Sequence, residues 1–421
     1  MNKKKILCFC LALGAFSAMM AQETLSLSQC LQMAVDNNLS LQKSRNEIAK
    51  GKYSISENQA KLLPQINAVA QLNDNFTPPV SVTDGSAYGK PYNVTKTLQY
   101  NASAGLQLQM PLYNQMVNTA IDIAKIADHL NQLSYEKARE DLIVQTAKMY
   151  YMAQNTAEQI RLVNDNIKRL EELYGITQAF YDNQMSLEVD VKRVKLNIEN
   201  LTVQRDNAIA MLDQQYTMLK YVIDYPADKQ IKVSEVNPGE IETVNANGLN
   251  THLYELQLLE KRKELAQKQT KLAKDGYLPS VSLTGSLMYS AFTDKIEHWI
   301  HSGESNHWYG SNGIGIQLRV PVFDGFEKRS KIRRAKMEEE NARIGYEDAL
   351  KGMQANYMNA VSEVNNSQRN YKKQFDNYTL AQDVYSVTAD QYKEGVGTMT
   401  AVLQDEMRMS EAMNNYLTAY Y

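Results

Sequence analysis

Two stretches of about 70 residues, from Asn114 to Asp182 and from Gly325 to Glu394, contain no proline. Within the first, Leu130, Leu133, Leu142, Ala147, Tyr150, Ala157, Ile160, Val163, Ile167, Leu170 and Leu173 recur mostly at helical spacing, the narrow apolar stripe of a coiled-coil-like helix. At 1.5 Å per residue such a helix reaches about 100 Å, longer than an ordinary globular core. Whatever surrounds these helices must be elongated or assembled from several copies.

Between the helical stretches the period changes from 3.6 to 2. In YNASAGLQLQM, Tyr100, Ala102, Ala104, Leu106, Leu108 and Met110 alternate with Asn101, Ser103, Gly105, Gln107 and Gln109 before Pro111 interrupts. Similar alternation predicts strands over residues 65–75, 98–110, 280–290 and 312–320. Ser280, Ser282, Thr284 and Ser286 oppose Val281, Leu283, Leu287 and Tyr289, and Gly313, Gly315, Gln317 and Arg319 oppose Ile314, Ile316, Leu318 and Val320. Each strand therefore has a polar face and an apolar one. The segments joining them, FTPPVSVTDGSAYGKPYNVTKTLQ and SAFTDKIEHWIHSGESNHWYGS, are rich in turn residues and read as exposed loops.

The order of elements repeats. LLPQINAVA at 62–70 returns as YLPSVSLTG at 277–285, AGLQLQMPLYN as IGIQLRVPVFD at 314–324, and FYDNQMSLEVDV at 180–191 weakly as QYKEGVGTMTAV at 391–402. Three echoes in one order, about 210 to 215 residues apart, mean a duplicated unit. The chain divides into residues 1–21; a first repeat, 22–221, with a helix, a β-hairpin at 65–110 and a long helical hairpin at 114–221; an irregular linker or equatorial insertion, 222–250, holding Pro226, Pro238, Gly239 and Gly248; and a second repeat, 251–421, with a helix, a β-hairpin at 280–320 and a helical hairpin at 325–421. The opening helix is expected to start at Ser26 or Ser28 and run to Leu63, where Pro64 ends it.

Lys3 to Lys5, an apolar run from Ile6 to Ala18 and the small residue Ala21 make the first 21 residues a secretory signal peptide. Its apolar run is too short to span a bilayer. Cleavage removes three of the 45 basic residues and leaves 42 against 48 acids, a net charge of about −6 that gives nucleic acid no electrostatic foothold. Cys8 and Cys10 leave with the signal, so the mature chain keeps only Cys30, a small hydrophobe on a helix, and can form no internal disulfide.

An export signal without a membrane-spanning helix leaves the outer membrane as the lipid phase that strands can occupy. The strands are long enough for the 9 to 11 residues needed to cross a bilayer at the usual tilt, their polar faces carry small Ser, Thr, Gly and Asn with Gln, and Tyr100, Tyr289 and Tyr309 fall near strand ends. An open sheet of four strands would expose unpaired backbone groups to lipid at several kcal/mol each. Bacterial outer-membrane barrels have about eight strands or more, so chains must share one, two copies giving eight strands or three giving twelve. The alternative is a periplasmic coiled-coil scaffold whose strands form a soluble sheet.

The segment LSLSQCLQMAVDNNLSLQKSRNEI, the LLP and YLP before each first strand, PLYN and PVFDG after each second one, and Tyr392 with Gly395 at the late turn resemble the TolC-type outer-membrane efflux channel family. The resemblance covers nearly all of the chain from about Leu25 onward. It implies an α+β membrane protein: a homotrimer with a twelve-stranded transmembrane β-barrel in the outer membrane, continued by an α-helical barrel in the periplasm. It further implies a passive exit duct of a tripartite efflux or type I secretion system, docked onto a periplasmic adaptor (membrane fusion protein) that links it to an inner-membrane transporter.

In similar channels the periplasmic helix turns line the closed entrance, often with an acidic ring. Here Glu188 and Asp190 lie in the first turn, Asp190 at the family's recurrent acidic position, whereas the second turn has Ala401 and Gln404 at such positions and Asp405 one residue on. Glu188, Asp190 and Asp405 are the gate candidates, and Gly395, Gly397 and Thr398 the adaptor-docking ones. Gln107, Gln317 and Arg319, on polar strand faces, are candidates to line the pore. His298, His301 and His307 with Trp299 and Trp308 form a loop cluster without carboxylate or cysteine at zinc-site spacing, and no metal is assigned there. No nucleophile elbow, GxxxxGK(S/T) loop, HExxH or CxxC appears, so the expectation is a channel with no enzymatic activity and no cofactor.

Overall fold

The computed structural model describes residues 23–235, 248, 250, 252–295, 297 and 308–420. The signal segment and most of the histidine loop, with His298, Trp299, His301 and His307, lie outside the described residues. Element order is β1 (Glu23–Leu25), α1 (Leu27–Asn37), α2 (Leu39–Ala60), β2 (Gln65–Asp74), β3 (Val80–Asp84), β4 (Tyr92–Lys96), β5 (Tyr100–Tyr113), α3 (Gln115–Asp182), α4 (Glu188–Ile223), β6 (Ile231–Val233), α5 (Tyr254–Asp275), β7 (Ser280–Thr293), β8 (Trp308–Arg319), α6 (Glu327–Lys393) and α7 (Met399–Tyr420). Helices α3 and α6, of 68 and 67 residues, fill the two proline-free stretches. Among the described residues no helix is long and apolar enough to cross a membrane.

Two compact units are distinguished. One contains residues up to Asn46, Ser134–Tyr254 and Ala349–Tyr421; the other contains Glu47–Leu133 and Glu255–Asp348.

In the first unit α1 starts at Ser26, whose hydroxyl accepts from the Gln29 N–H while its own N–H donates to Gln29 Oε1 at 2.8 Å, a capping box. The expected single helix to Leu63 is instead two. Asn38 leaves the helical region, its Oδ1 accepts from the N–H groups of Ser40 and Leu41, and its Nδ2 donates to the Val222 carbonyl at 3.0 Å. A side chain that caps the next helix and holds a distant one overrides apolar spacing that runs through the break. Ile231–Val233, within the stretch that looks irregular in sequence, pairs in parallel with β1, Leu25 opposite Val233. Leu25, Cys30, Ala34, Tyr150, Ala153, Tyr216, Leu219, Ile223, Ile231 and Val233 form one core, and burial pushes the Cys30 thiol up to about 11. Tyr150 ties it together: its hydroxyl donates to the Leu25 carbonyl at 3.0 Å and accepts from the Ser234 N–H at 3.1 Å.

A second core of the same unit joins α3, α4, α6 and α7 through Val163, Leu170, Val194, Tyr385, Val402 and Met409. The apolar stripe of the sequence is buried here in fact: Val163, Ile167, Leu170 and Leu173 are all inside.

The other unit is built on an antiparallel sheet of order β2-β5-β7-β8. Gln65 faces Gln109, Leu106 faces Leu287, and Ser280 faces Arg319, so both hairpins meet side by side in the registers that their alternation requires. The first loop is not plain coil, because β3 and β4 form an exposed hairpin within it, Val80 opposite Lys96. Helical segments of this unit are fastened by Thr119 Oγ1, which donates to Asp275 Oδ2 at 2.5 Å, and by the Lys268–Asp122 ion pair at 2.9 Å, whose lysine holds the Asp122 carboxyl below its usual range.

Candidate functional site: the helical turns and the polar sheet face

The turns at the ends of α3 and α6 repeat one backbone motif. At the first, Met185 N–H donates to the Phe180 carbonyl and Gln184 N–H to that of Tyr181; at the second, Val396 N–H donates to Gln391 and Gly395 N–H to Tyr392. This is the Schellman arrangement, with Gln184 (φ 61°) and Gly395 (φ 77°) in the left-handed position. Positions 184 and 395 are 211 apart, the offset of the weakest sequence echo, so the duplication persists in backbone geometry where side chains have diverged. Gly397 is needed for space: a Cβ there would lie 2.9 Å from the Tyr392 nitrogen. Thr398 accepts from the Ala401 N–H through its hydroxyl at 3.3 Å and so caps α7. Beneath the turns the rings of Phe180 and Tyr392 meet at 5.6 Å.

The acidic candidates differ in setting. Glu188 and Asp190 occupy the first turn of α4, where the helix dipole favours anions. Glu188 is exposed and pairs with Lys192 at 2.7 Å, while Asp190 is largely covered and pairs with Arg193 at 3.0 Å. Asp405 accepts from the Thr388 hydroxyl at 2.8 Å and pairs with Arg408 at 3.2 Å. The structure thus brings these acids near the two turns, but each has a cation on its own helix.

Glu406 is a buried acid that no motif or spacing in the sequence marks. Only 4% exposed, it accepts from Asn166 Nδ2 at 2.9 Å. Burial raises its carboxyl pKa, against the lowering influences of the Asn166 hydrogen bond and the Arg169 charge, and Tyr385 beside it is pushed up to about 12 by burial and by the Glu406 charge. Its neighbour Asp405 is indistinguishable from it in sequence. One step along a helix turns a side chain by about 100° and here moves it from a partly covered position to the core.

Gln107, Gln317 and Arg319 lie in the sheet unit. All three are exposed on the same face, Gln107 between Asn67 and Ser286, Gln317 opposite Ser282, and Arg319 opposite Ser280 at the sheet end that receives α5 and α6. The other face presents Ile66, Leu72, Leu106, Leu287, Ile314, Ile316 and Leu318, every one exposed, with Ile314 at 76%.

The sequence matches the profile described as "Outer membrane efflux protein" over residues 30–219 and 254–421. The chain belongs to this family. That makes it an outer-membrane channel protein of efflux or secretion. It is 23% identical to the outer membrane protein TolC of Escherichia coli K12, over 98% of this chain and 82% of that protein, and 20% identical to the alkaline protease secretion protein AprF of Pseudomonas aeruginosa, over 97% and 84%. Its fold is that of the outer membrane protein VceC of Vibrio cholerae (TM-score 0.75, 16% identity, covering 94% of this chain and 92% of that one). It is also that of the MtrE outer membrane channel of Neisseria gonorrhoeae (TM-score 0.68, 19% identity, covering 93% and 85%). An efflux-family chain therefore carries a sheet of membrane-crossing length and two helical hairpins ending in matched turns.

Proposed function

We propose that three copies of the chain close a twelve-stranded barrel in the outer membrane, continued by a helical barrel in the periplasm, and serve as the exit duct of a tripartite efflux or type I secretion system. The observation that carries this is the sheet itself. Its edge strands β2 and β8 have no partner on their outer sides among the described residues, and its apolar face leaves Ile66, Leu72, Leu106, Leu287, Ile314, Ile316 and Leu318 exposed. In lipid both features need a second copy on each edge, and closure by rotation supplies it. The face holding Gln107, Gln317 and Arg319 then lines the water-filled lumen. The turns with Gly395, Gly397 and Thr398 dock a periplasmic adaptor, which joins the duct to an inner-membrane transporter. Glu188, Asp190 and Asp405, repeated by symmetry, favour cations at the entrance.

Protein extracted from membranes in neutral detergent is expected to have an assembly mass of three mature chains and to give stepwise conductance in planar bilayers. A detergent-independent monomer without conductance would overturn the proposal and favour a soluble scaffold.

A further inference from the structure

Where the chain leaves β8, positive charge accumulates in a way that neither internal ion pairing nor the duct requires. Residues 327–336, EKRSKIRRAK, carry Lys328, Arg329, Lys331, Arg333, Arg334 and Lys336 against one acid, Glu327. Lys328 pairs with Asp324 at 3.1 Å and Lys331 with Glu327 at 2.6 Å. Arg329, Arg333 and Lys336 are exposed and form no ion pair among the described residues. Lys271 and Lys274, exposed near the end of α5, are fed to the same sheet end, where Ser280 of β7 faces Arg319 of β8. The strands themselves are nearly free of charge: β5 and β7 have none, β2 has Asp74 and β8 has Arg319. Duplication does not explain the accumulation, because the first ten residues of α3, QMVNTAIDIA, have only Asp122.

Beside these cations stands an exposed apolar group. Val322 is 93%, Phe323 77% and Phe326 61% exposed, and the two rings pack edge to face at 5.6 Å. Phe326 has φ 68°, a costly backbone for a bulky residue, directly after Gly325 at φ 63°. Asp324 holds the turn by accepting from the Lys328 N–H at 3.0 Å. Strain is thus spent on holding a large apolar ring out of the fold, one residue from a run of cations.

Apolar rings bordered by cations match the boundary between acyl chains and anionic headgroups. We propose that Val322, Phe323 and Phe326 enter the acyl boundary and that Arg329, Arg333 and Lys336 bind phosphates of anionic phospholipids in the leaflet facing the helical end of the sheet. Arg329 to Lys336 rises about 10 Å along the helix, close to the reach of a headgroup layer and its screened field. The inference rests on the membrane-crossing sheet proposed above.

Full-length protein in neutral detergent is titrated with dioctanoyl phosphatidylglycerol, dioctanoyl phosphatidylcholine and inorganic phosphate, with thermal midpoint as the readout. Assembly mass and bilayer conductance are measured on the same preparation. Phosphatidylglycerol is expected to bind at least tenfold more tightly than phosphatidylcholine, with a preference that falls as salt rises. The preference should vanish in R329Q/R333Q/K336Q and survive in R329K/R333K, and inorganic phosphate should give no comparable shift. Equal affinity for the two lipids, a preference intact in the triple variant, or phosphate binding as tightly as the lipid would overturn it. So would a triple variant that keeps the lipid preference but alters ion selectivity, since the charges would then face the lumen. Loss of trimer mass or conductance in the unmodified protein counts against the duct, whereas a conducting trimer indifferent to phosphatidylglycerol counts against the lipid contact alone.

Discussion

Glu406 is an acid whose chemistry is altered by its place in the fold. Burial raises its folded pKa above the unfolded value of about 4.3, so the protonated form is the one the core prefers. The linked stability is fully present below the unfolded pKa and is lost as pH rises through the folded one. Glu406→Gln keeps a partner for Asn166 and carries no charge to desolvate. It is expected to raise the thermal midpoint at pH 7 by about 2–4 °C, for a gain of about 1 kcal/mol, and to flatten the decline as pH is raised from about 4 to neutrality. Melting both proteins across that range checks the sign, and a variant that melts lower at neutral pH contradicts it. Nothing in the sequence distinguishes Glu406 from Asp405, because which of them meets Asn166 in the core and which meets Thr388 nearer the surface is fixed by the helix faces that pack together.

At the level of elements, the matched turns give opposed predictions. Gln184 occupies a left-handed position that glycine fills in the other repeat. Gln184→Gly is expected to stabilise by about 0.5–1 kcal/mol and Gly395→Ala to destabilise by about 1 kcal/mol, read as opposite shifts in thermal midpoint. Shifts of the same sign would mean that contacts elsewhere, not backbone conformation, decide the turns. The small parallel pair β1 and β6 depends on Tyr150, whose hydroxyl serves Leu25 and Ser234 at once. Tyr150→Phe leaves buried polar groups short of a partner and is expected to cost about 1–3 kcal/mol. Faster amide hydrogen exchange at Ile231–Val233 in that variant, with α3 unaffected, is the corresponding local measurement. Strands and long helices were legible because their periods of 2 and 3.6 are long runs of evidence. The break at Asn38 and strand β6 were not, since the one is a single residue and the other three, each held in its conformation by partners far along the chain, Val222 for the one and β1 for the other.

For the whole molecule, the decisive contrast lies between the two faces of one strand. Leu106 and Gln107 are neighbours near the middle of β5, on opposite faces. Leu106→Lys is expected to cost about 2–4 kcal/mol of folding into lipid vesicles, whereas Gln107→Lys should insert normally and shift the pore toward anions. Folding yield by heat-modifiable gel mobility and reversal potential in bilayers test the pair, and equal tolerance of lysine at both sites would remove the lipid from the apolar face. By itself the sequence determined the duplication, the alternating strands and the long helical stripes, because these are periodicities that any local backbone must obey. The tertiary structure alone decided that the two hairpins join as β2-β5-β7-β8, that Asn38 divides the first helix, and that Glu406 lies inside. Those outcomes depend on partners more than a hundred residues away, and no local period records which distant surface a side chain will meet.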